Sequence, residues 1–397
     1  MRVVTNRSEG VIRMSRILFL TDYFPLDECV SVSGGVENRY FNLVKGLSVD
    51  NDVTVMCSCQ DKSLVGFDEV VFGARIVCPG FMAYTNRGVF NRLLLQLQFF
   101  FRALRLGFFD VIVGTNFVAT IPAFVIAKIK RCKSVGVWHE CWINDWVKNK
   151  GLVTGLFGEV WERLSIKLRY DKLVSVSEFT AKKMSEHCKN RISIISNGVN
   201  NSLMDNFIVN KDTNKSLVVV GRLTKTKNVD LIIRAFKDLI KDYPDLKLKI
   251  VGTGPELEPL TNLANKLGLK DNTRFYGFVK EHNDVLKIIK ESHIYVSASE
   301  LEGFGITLLE GMSAGLPIIC SKIPPFLEVT KKKALYFDKQ LGYDYVNNKF
   351  YKKGLIDCIK ELLTNKEHYE TMSKEMKKVA KEYDWKNITI KWKQKIL

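Results

Sequence analysis

Glu302 and Glu310 stand eight positions apart in the segment ASELEGFGITLLEGMSAGLPI (298–318), separated by a Gly-Phe-Gly turn and an apolar Ile-Thr-Leu-Leu run. Two carboxylates so spaced have two chemical uses. They can work as acid and base on a glycosidic bond, or they can accept hydrogen bonds from the hydroxyl groups of a ligand. Cations follow another apolar run: in LVVVGRLTKTKN, Arg222 comes just after the run and Lys227 five residues later. Two cations beyond a strand end suit a diphosphate, held by charge-assisted hydrogen bonds. Gly34 and Gly35 follow the first apolar run, and glycines there let backbone N–H groups approach a phosphate closely. His139 lies in WHE, at the end of a further apolar run. Each feature alone has an ordinary reading. A loop cation is usually solvated, Gly-Gly is usually a turn, and a histidine beside a tryptophan is often a satisfied buried side chain.

The elements that would position these residues alternate along the chain. RILFLTDYFP (16–25) reads as a buried parallel strand, the loop with Ser33, Gly34 and Gly35 follows, VENRYFNLVKGLS has helical spacing, and DVTVMCS returns to strand. Strand, glycine loop, helix and strand make a βαβ unit. DVIVGT with ATIPAFVIAKIK, SVGVWHE, and LVSVSE with FTAKKMSEH continue the series. Near residue 200 the pattern breaks into SNGVNNSLMDNFIVNKDTNK, which reads as an interdomain linker. It then restarts, from LVVVGRL through LKLKIVGTG, TRFYGFV and HIYVSAS to LPIICS, with helices between. A chain of 397 residues exceeds one core's usual reach. The expectation is two doubly wound parallel-sheet domains, 1–205 and 206–380, with ligands bound at the carboxyl ends of the strands in a cleft between them.

Several rival chemistries lack their motif. VGTGPELEPL (251–260) has Gly252 and Gly254 after a strand, but Leu257 stands where the dinucleotide fingerprint needs Gly or Ala. There is no Walker phosphate loop and no G-x-S-x-G elbow. Cys57-Ser-Cys59 and His139-Glu-Cys141 are too isolated for a zinc site.

Taken in order, GGVE (34–37), WHE (138–140), VSE (176–178), SNGV (196–199), GRLTKTK (221–227), VGTGPE (251–256), YGFV (276–279) and EGFGITLLEGMSAGLP (302–317) resemble family 4 of the nucleotide-sugar glycosyltransferases. The likeness runs from about residue 16 to the C-terminus, and the two glutamates are its strongest element. It implies the GT-B fold: two Rossmann-like domains facing across a cleft, with the C-terminal helix, here YDWKNITIKWKQKIL (383–397), crossing back to the first domain. It implies that Glu310 accepts the ribose hydroxyls, that Glu302 contacts the donor sugar, and that Phe304, Gly305 and Ile306 approach the donor. It further implies that Arg222 and Lys227 stabilise the departing diphosphate, that His139 lies near the transferred sugar, and that Gly34, Gly35 and Gly254 belong to the donor site. A nucleoside diphosphate leaves without needing a carboxylic acid to protonate it, so the glutamates can serve as orienting acceptors. The family transfers sugars with retention and generally without a metal. Cofactors are therefore not expected; the partners expected are a UDP- or GDP-type sugar donor and a glycan or lipid-linked acceptor. The chain departs from the family after the second glutamate's helix, where SKIPPFLEV keeps Glu328 but shortens the surrounding loop. This bears on donor preference more than on fold. Trp138, Trp142 and Trp146 could form an acceptor platform, although aromatics at helical spacing are more often core. Asn144 and Asp145 lie close by as further acceptor candidates.

Composition adds limits. Sixty Lys and Arg against 43 Asp and Glu leave +17, an excess that favours phosphate-bearing partners and is spread along the chain. No nucleic-acid-binding module is recognisable, so nucleic acid is not the expected partner. A donor-binding protein without turnover is the closer rival. Nine cysteines without a C-x-x-C pair read as reduced thiols of a cytoplasmic protein. The first fifteen residues lack the apolar core of a signal peptide, and Met14 is an alternative start. FNRLLLQLQFFFRALRLGFF (90–109) is apolar around nearly its whole circumference, with Arg92, Arg102 and Arg105 interrupting. That suits a core helix or a basic interfacial helix on anionic lipid at the inner face of the cell membrane. The core reading is preferred, because the strand that follows needs covering.

Overall fold

The computed structural model describes residues 14–26, 34–59, 61–81, 89–338 and 354–397. Ser33 and the first thirteen residues, on which part of the reading of the chain's start rests, lie outside the described residues.

In chain order the elements of the first half are β1 (Arg16–Tyr23), α1 (Gly35–Leu47), β2 (Asp52–Cys59), β3 (Asp68–Val71), β4 (Ala74–Phe81), α2 (Val89–Arg105), β5 (Val111–Thr115), α3 (Asn116–Lys130), β6 (Lys133–Trp138), α4 (Trp146–Lys150), α5 (Leu152–Lys167), β7 (Lys172–Ser175), α6 (Glu178–Ser185), β8 (Ile192–Ile194) and α7 (Asn201–Asn206). The second half comprises β9 (Ser216–Val220), α8 (Val229–Asp242), β10 (Lys247–Val251), α9 (Leu257–Lys266), β11 (Thr273–Gly277), α10 (His282–Glu291), β12 (Ile294–Ser297), α11 (Ile306–Ser313), β13 (Ile318–Ser321), α12 (Pro324–Val329), β14 (Leu335–Phe337), α13 (Leu355–Thr364), α14 (Lys366–Glu382) and α15 (Trp385–Ile396).

The strands form two sheets, ordered β3-β4-β2-β1-β5-β6-β7-β8 and β11-β10-β9-β12-β13-β14. Apolar runs such as VIVGT in β5 are buried along their whole length, as expected of parallel strands covered on both faces. One strand departs from the βα alternation. β3 pairs antiparallel with β4 through a two-residue turn at Phe72 and Gly73, both at positive φ, which matches the twist of a tight hairpin.

The stretch near residue 200 is more structured than a linker. Val199 bridges Asp384, Met204 packs into the second core, and the boundary drawn at residue 205 falls inside α7. From there α15 returns to the first half. Its Trp385, Ile388, Trp392 and Ile396 join the core under β1 and α1. Gly198 has no room for a side chain, since a Cβ would lie 2.6 Å from the Trp385 ring. The SNGV motif is thus the seat of the returning helix.

Candidate active site

The C-terminal wall is made of glycine turns locked to one another by backbone hydrogen bonds. Leu223 N–H donates to Thr253 O at 2.9 Å and Glu256 N–H to Leu223 O at 3.1 Å, joining the loop after β9 to the loop after β10. A Cβ on Gly254 would lie 2.3 Å from Leu223 O, so this glycine is required by the approach of two backbones. Arg222 is exposed on that turn and makes no hydrogen bond or ion pair with the described residues. Lys227 closes a short 3₁₀ turn, and its Nζ lies 2.5 Å from Glu302 Oε1. Two residues on, the Phe304 ring turns into the core against Tyr383, leaving only its backbone for a ligand. Gly305, at φ 101°, is the N-cap of α11; a Cβ there would strike the Phe326 ring at 2.8 Å.

Glu310 lies on the second turn of α11 and is 2% exposed. Its Oε1 accepts from Asn38 Nδ2 at 3.4 Å and lies 3.1 Å from His282 Nε2, while Oε2 is buried with no hydrogen-bond partner. A buried carboxylate oxygen without a donor is costly unless a ligand supplies one. Burial pushes the His282 pKa down, but the charge and hydrogen bond of Glu310 outweigh it and raise the pKa above the ordinary value. His282 therefore turns one oxygen of Glu310 away and leaves the other bare.

The N-terminal wall is organised by three consecutive residues of α1. Asn38 reaches Glu310, as above. Arg39, fully buried, donates to Ile195 O, Ser196 O and Asn197 Oδ1 at 2.8–3.0 Å, tying α1 to the SNGV segment. The Tyr40 hydroxyl lies 3.1 Å from His139 Nε2. Burial, then the charge of Arg39, hold the His139 pKa well below the ordinary histidine value, so His139 is neutral at physiological pH.

Behind His139, the loop to α4 is held from α5. Glu162 accepts from Trp142 N–H and, at 2.6 Å, from the Trp146 indole; burial pushes its pKa up to about 7. Trp138 and Trp146 are buried, as the core reading has it, whereas Trp142 is partly exposed and its indole donates to Glu140. Asn144 and Asp145 are engaged elsewhere, by Glu159 and Arg163 and by Lys183. Glu328 crosses between the halves to accept from the N–H groups of Glu178 and Phe179 at the start of α6.

The walls meet closely. A Cβ on Gly35 would lie 2.8 Å from Ile306 Cδ1, and one on Gly303 would lie 2.1 Å from His139 O. Gly34, by contrast, has open space around it. Helices α1 and α11 thus bring their N-termini to the same cleft, and neither Gly34 nor Gly305 offers a side-chain cap. The positive dipole ends of the two helices thus face one cleft, a geometry that suits an anion.

Two family models match in succession: "Glycosyltransferase Family 4" over residues 33–203 and "Glycosyl transferases group 1" over 203–379. The chain belongs to the family 4-type GT-B glycosyltransferases. An uncharacterized glycosyltransferase of Haemophilus influenzae is 26% identical over 92% of this chain and 96% of its own length. Among solved structures, a sucrose-phosphate synthase from Thermosynechococcus elongatus superposes with a TM-score of 0.78 at 16% identity, covering 96% of this glycosyltransferase and 98% of that chain. Anabaena HepE, solved with UDP and glucose, gives 0.70 at 16% identity over 96% and 98% of the two chains. Both likenesses concern the fold.

Of the residues singled out from sequence, Gly35, His139, Lys227, Glu302, Phe304, Gly305, Ile306 and Glu310 lie around one cleft. Gly254 sits in the supporting turn, and Arg222 makes no hydrogen bond or ion pair with any of them. Asn38, Arg39, Tyr40, Glu162 and His282 are not singled out by the sequence, and Glu140 enters only as part of WHE. The only available signal was a run of polar and charged residues, ENRY, on what had to be a covered helix.

Proposed function

We propose that this glycosyltransferase moves a hexose-type sugar, with retention of configuration, from a UDP- or GDP-type donor to a hydroxyl of a glycan or lipid-linked acceptor at the cytoplasmic face of a membrane. The observation that carries this reading is the bare, buried Oε2 of Glu310 beside two uncapped helix N-termini. The first matches a ribose hydroxyl and the second a diphosphate. Lys227 exchanges Glu302 for the diphosphate, joined by Arg222, and Glu302 is released to accept from a sugar hydroxyl. As the bond from the anomeric carbon to the phosphate oxygen breaks, the acceptor oxygen bonds the same face. Its proton passes to a departing phosphate oxygen. Charge on the leaving group is met by fixed dipoles and cations, so the proposal needs no metal. His139, neutral and fixed by Tyr40, offers a hydrogen bond to the sugar without adding charge. HepE's binding of UDP and glucose in a similar fold supports a nucleotide-sugar donor.

Thermal-shift screening against UDP, GDP and their sugars tests this, since a ligand bound only by the folded state raises Tm. One nucleotide series should raise Tm in wild type and fail to do so in Glu310→Gln. Release of nucleoside diphosphate with acceptor present separates a transferase from a donor-binding protein. A chain that no nucleotide stabilises would overturn the proposal.

A further inference from the structure

Glu310 ends a chain of hydrogen bonds that begins in the other half of the molecule. Asn42, one turn beyond Asn38 on α1, donates from Nδ2 to Asn38 Oδ1 at 2.6 Å and to Asn38 O at 2.8 Å. With its amide oxygen engaged in this way, Asn38 presents its NH2 group to Glu310, and Nδ2 lies 3.4 Å from Oε1. From the second half, His282 at the start of α10 brings Nε2 to 3.1 Å from the same oxygen. The backbone beneath is fixed as well. Gly311 lets α11 lie against Tyr295, whose ring a Cβ there would meet at 2.8 Å, and the Tyr295 hydroxyl donates to Thr307 Oγ1 on the same helix. Glu310 is therefore held both at its backbone and at one carboxylate oxygen.

A network that served stability alone would satisfy both oxygens, because a buried acceptor left without a donor is costly. Here the two donors converge on Oε1, although Oε2 has no hydrogen-bond partner among the described residues. They fix the plane of the carboxylate while occupying only one of its oxygens. The other is left for a group that brings its own donor, as a pentose hydroxyl does. One of the two holders is local to the C-terminal wall; the other reaches across the cleft from a residue 272 positions away.

We propose that His282 and Asn38 are positioning residues for Glu310, so that recognition of the donor's ribose is shared between the two halves of the chain rather than confined to the C-terminal one. This rests on the donor reading proposed above and deepens it: the ligand is a nucleoside diphosphate whose ribose hydroxyls are required. Neither residue is assigned a contact with the nucleotide; both act through Glu310. His282 contributes more, because its contact is the shorter, whereas 3.4 Å is long for an N–H···O bond.

Titration calorimetry of the full chain with UDP and GDP, each beside its dideoxy analogue lacking both ribose hydroxyls, tests the proposal. Wild type should bind the ribose form of one nucleotide about ten- to hundredfold more tightly than its dideoxy form, the effect of a hydrogen bond to a charged group. His282→Ala should bring that ratio to within about threefold of unity, and His282→Gln, which keeps an N–H donor, should restore most of it. Asn38→Ala should lower the ratio about threefold. In steady-state transfer both alanine variants should raise the KM for the donor and leave kcat nearly unchanged, and melting curves without nucleotide report folding separately. An alanine variant that keeps the wild-type ratio would overturn the proposal. So would affinity that falls equally for the ribose and dideoxy forms, which is what mere support of the fold would give. Wild type that binds both forms alike would overturn it and leave the transferase reading standing; wild type that binds no nucleotide would overturn both.

Discussion

The two walls of the cleft are built by different means. On the C-terminal side, Lys227, Glu302 and Glu310 project from turns and a helix whose backbones bond to each other, as at Leu223–Thr253 and Glu300–Thr226. On the N-terminal side the geometry depends on buried polar side chains: Arg39 on the carbonyls of 195–196, Tyr40 on His139, Glu162 on two tryptophans. A wall fixed through its backbone leaves its side chains available for chemistry. A wall fixed through side chains ties chemistry to stability, because removing one partner strands another buried polar group.

The largest effect expected from this contrast is at Lys227. Lys227→Ala should lower kcat about 100- to 1,000-fold, as loss of one preorganised charge-stabilising group does, with Tm nearly unchanged. Steady-state kinetics beside a melting curve checks both. Arg39→Ala should do the reverse, lowering stability by about 3 kcal/mol because three acceptors lose a charged donor; denaturant unfolding measures it. Equal effects of the two substitutions on Tm would erase the distinction between the walls.

Glu162 sharpens it through pH. Its pKa is raised by burial to about 7, so the folded state holds a proton that the unfolded state releases from about 4.5 upward. Stability from this group is complete below the unfolded value and is lost as pH rises through about 7. The expected loss is on the order of 3 kcal/mol. Melting curves from pH 5 to 8 should show this decline, and Glu162→Gln should flatten it. The smallest effect is at the contact between the walls. Gly35→Ala meets the flexible tip of Ile306 and should lower turnover several-fold, whereas Gly34→Ala enters open space and should leave turnover unchanged. Parallel kinetic assays of the two would show whether the close approach is part of the working geometry.

Much of the C-terminal wall was legible in the chain, because its residues are close in sequence. Glu302 to Glu310 lie on one turn and one helix, and local spacing already implies their common side. The N-terminal wall was hardly legible. Asn38 meets a residue 272 positions away and Arg39 one 158 away, and no local period marks such pairs. The tryptophans show the same limit: spacing indicated core, correctly for Trp138 and Trp146, but could not place Trp142 at the edge. The hairpin β3–β4 is hard to read from sequence because β3 is four half-exposed residues, and β4, though mostly buried, has its apolar run broken by Arg75, Pro79 and Gly80.

What the order of residues settled was local: which segments are buried strands, where glycine turns end them, and which motifs succeed one another, because hydrophobic period and turn chemistry act over a few residues. Only the folded chain chose which Glu310 oxygen is left bare and set His139 in the neutral state. Each of these arises from desolvation and charge at contacts between distant segments, which come into being with tertiary packing.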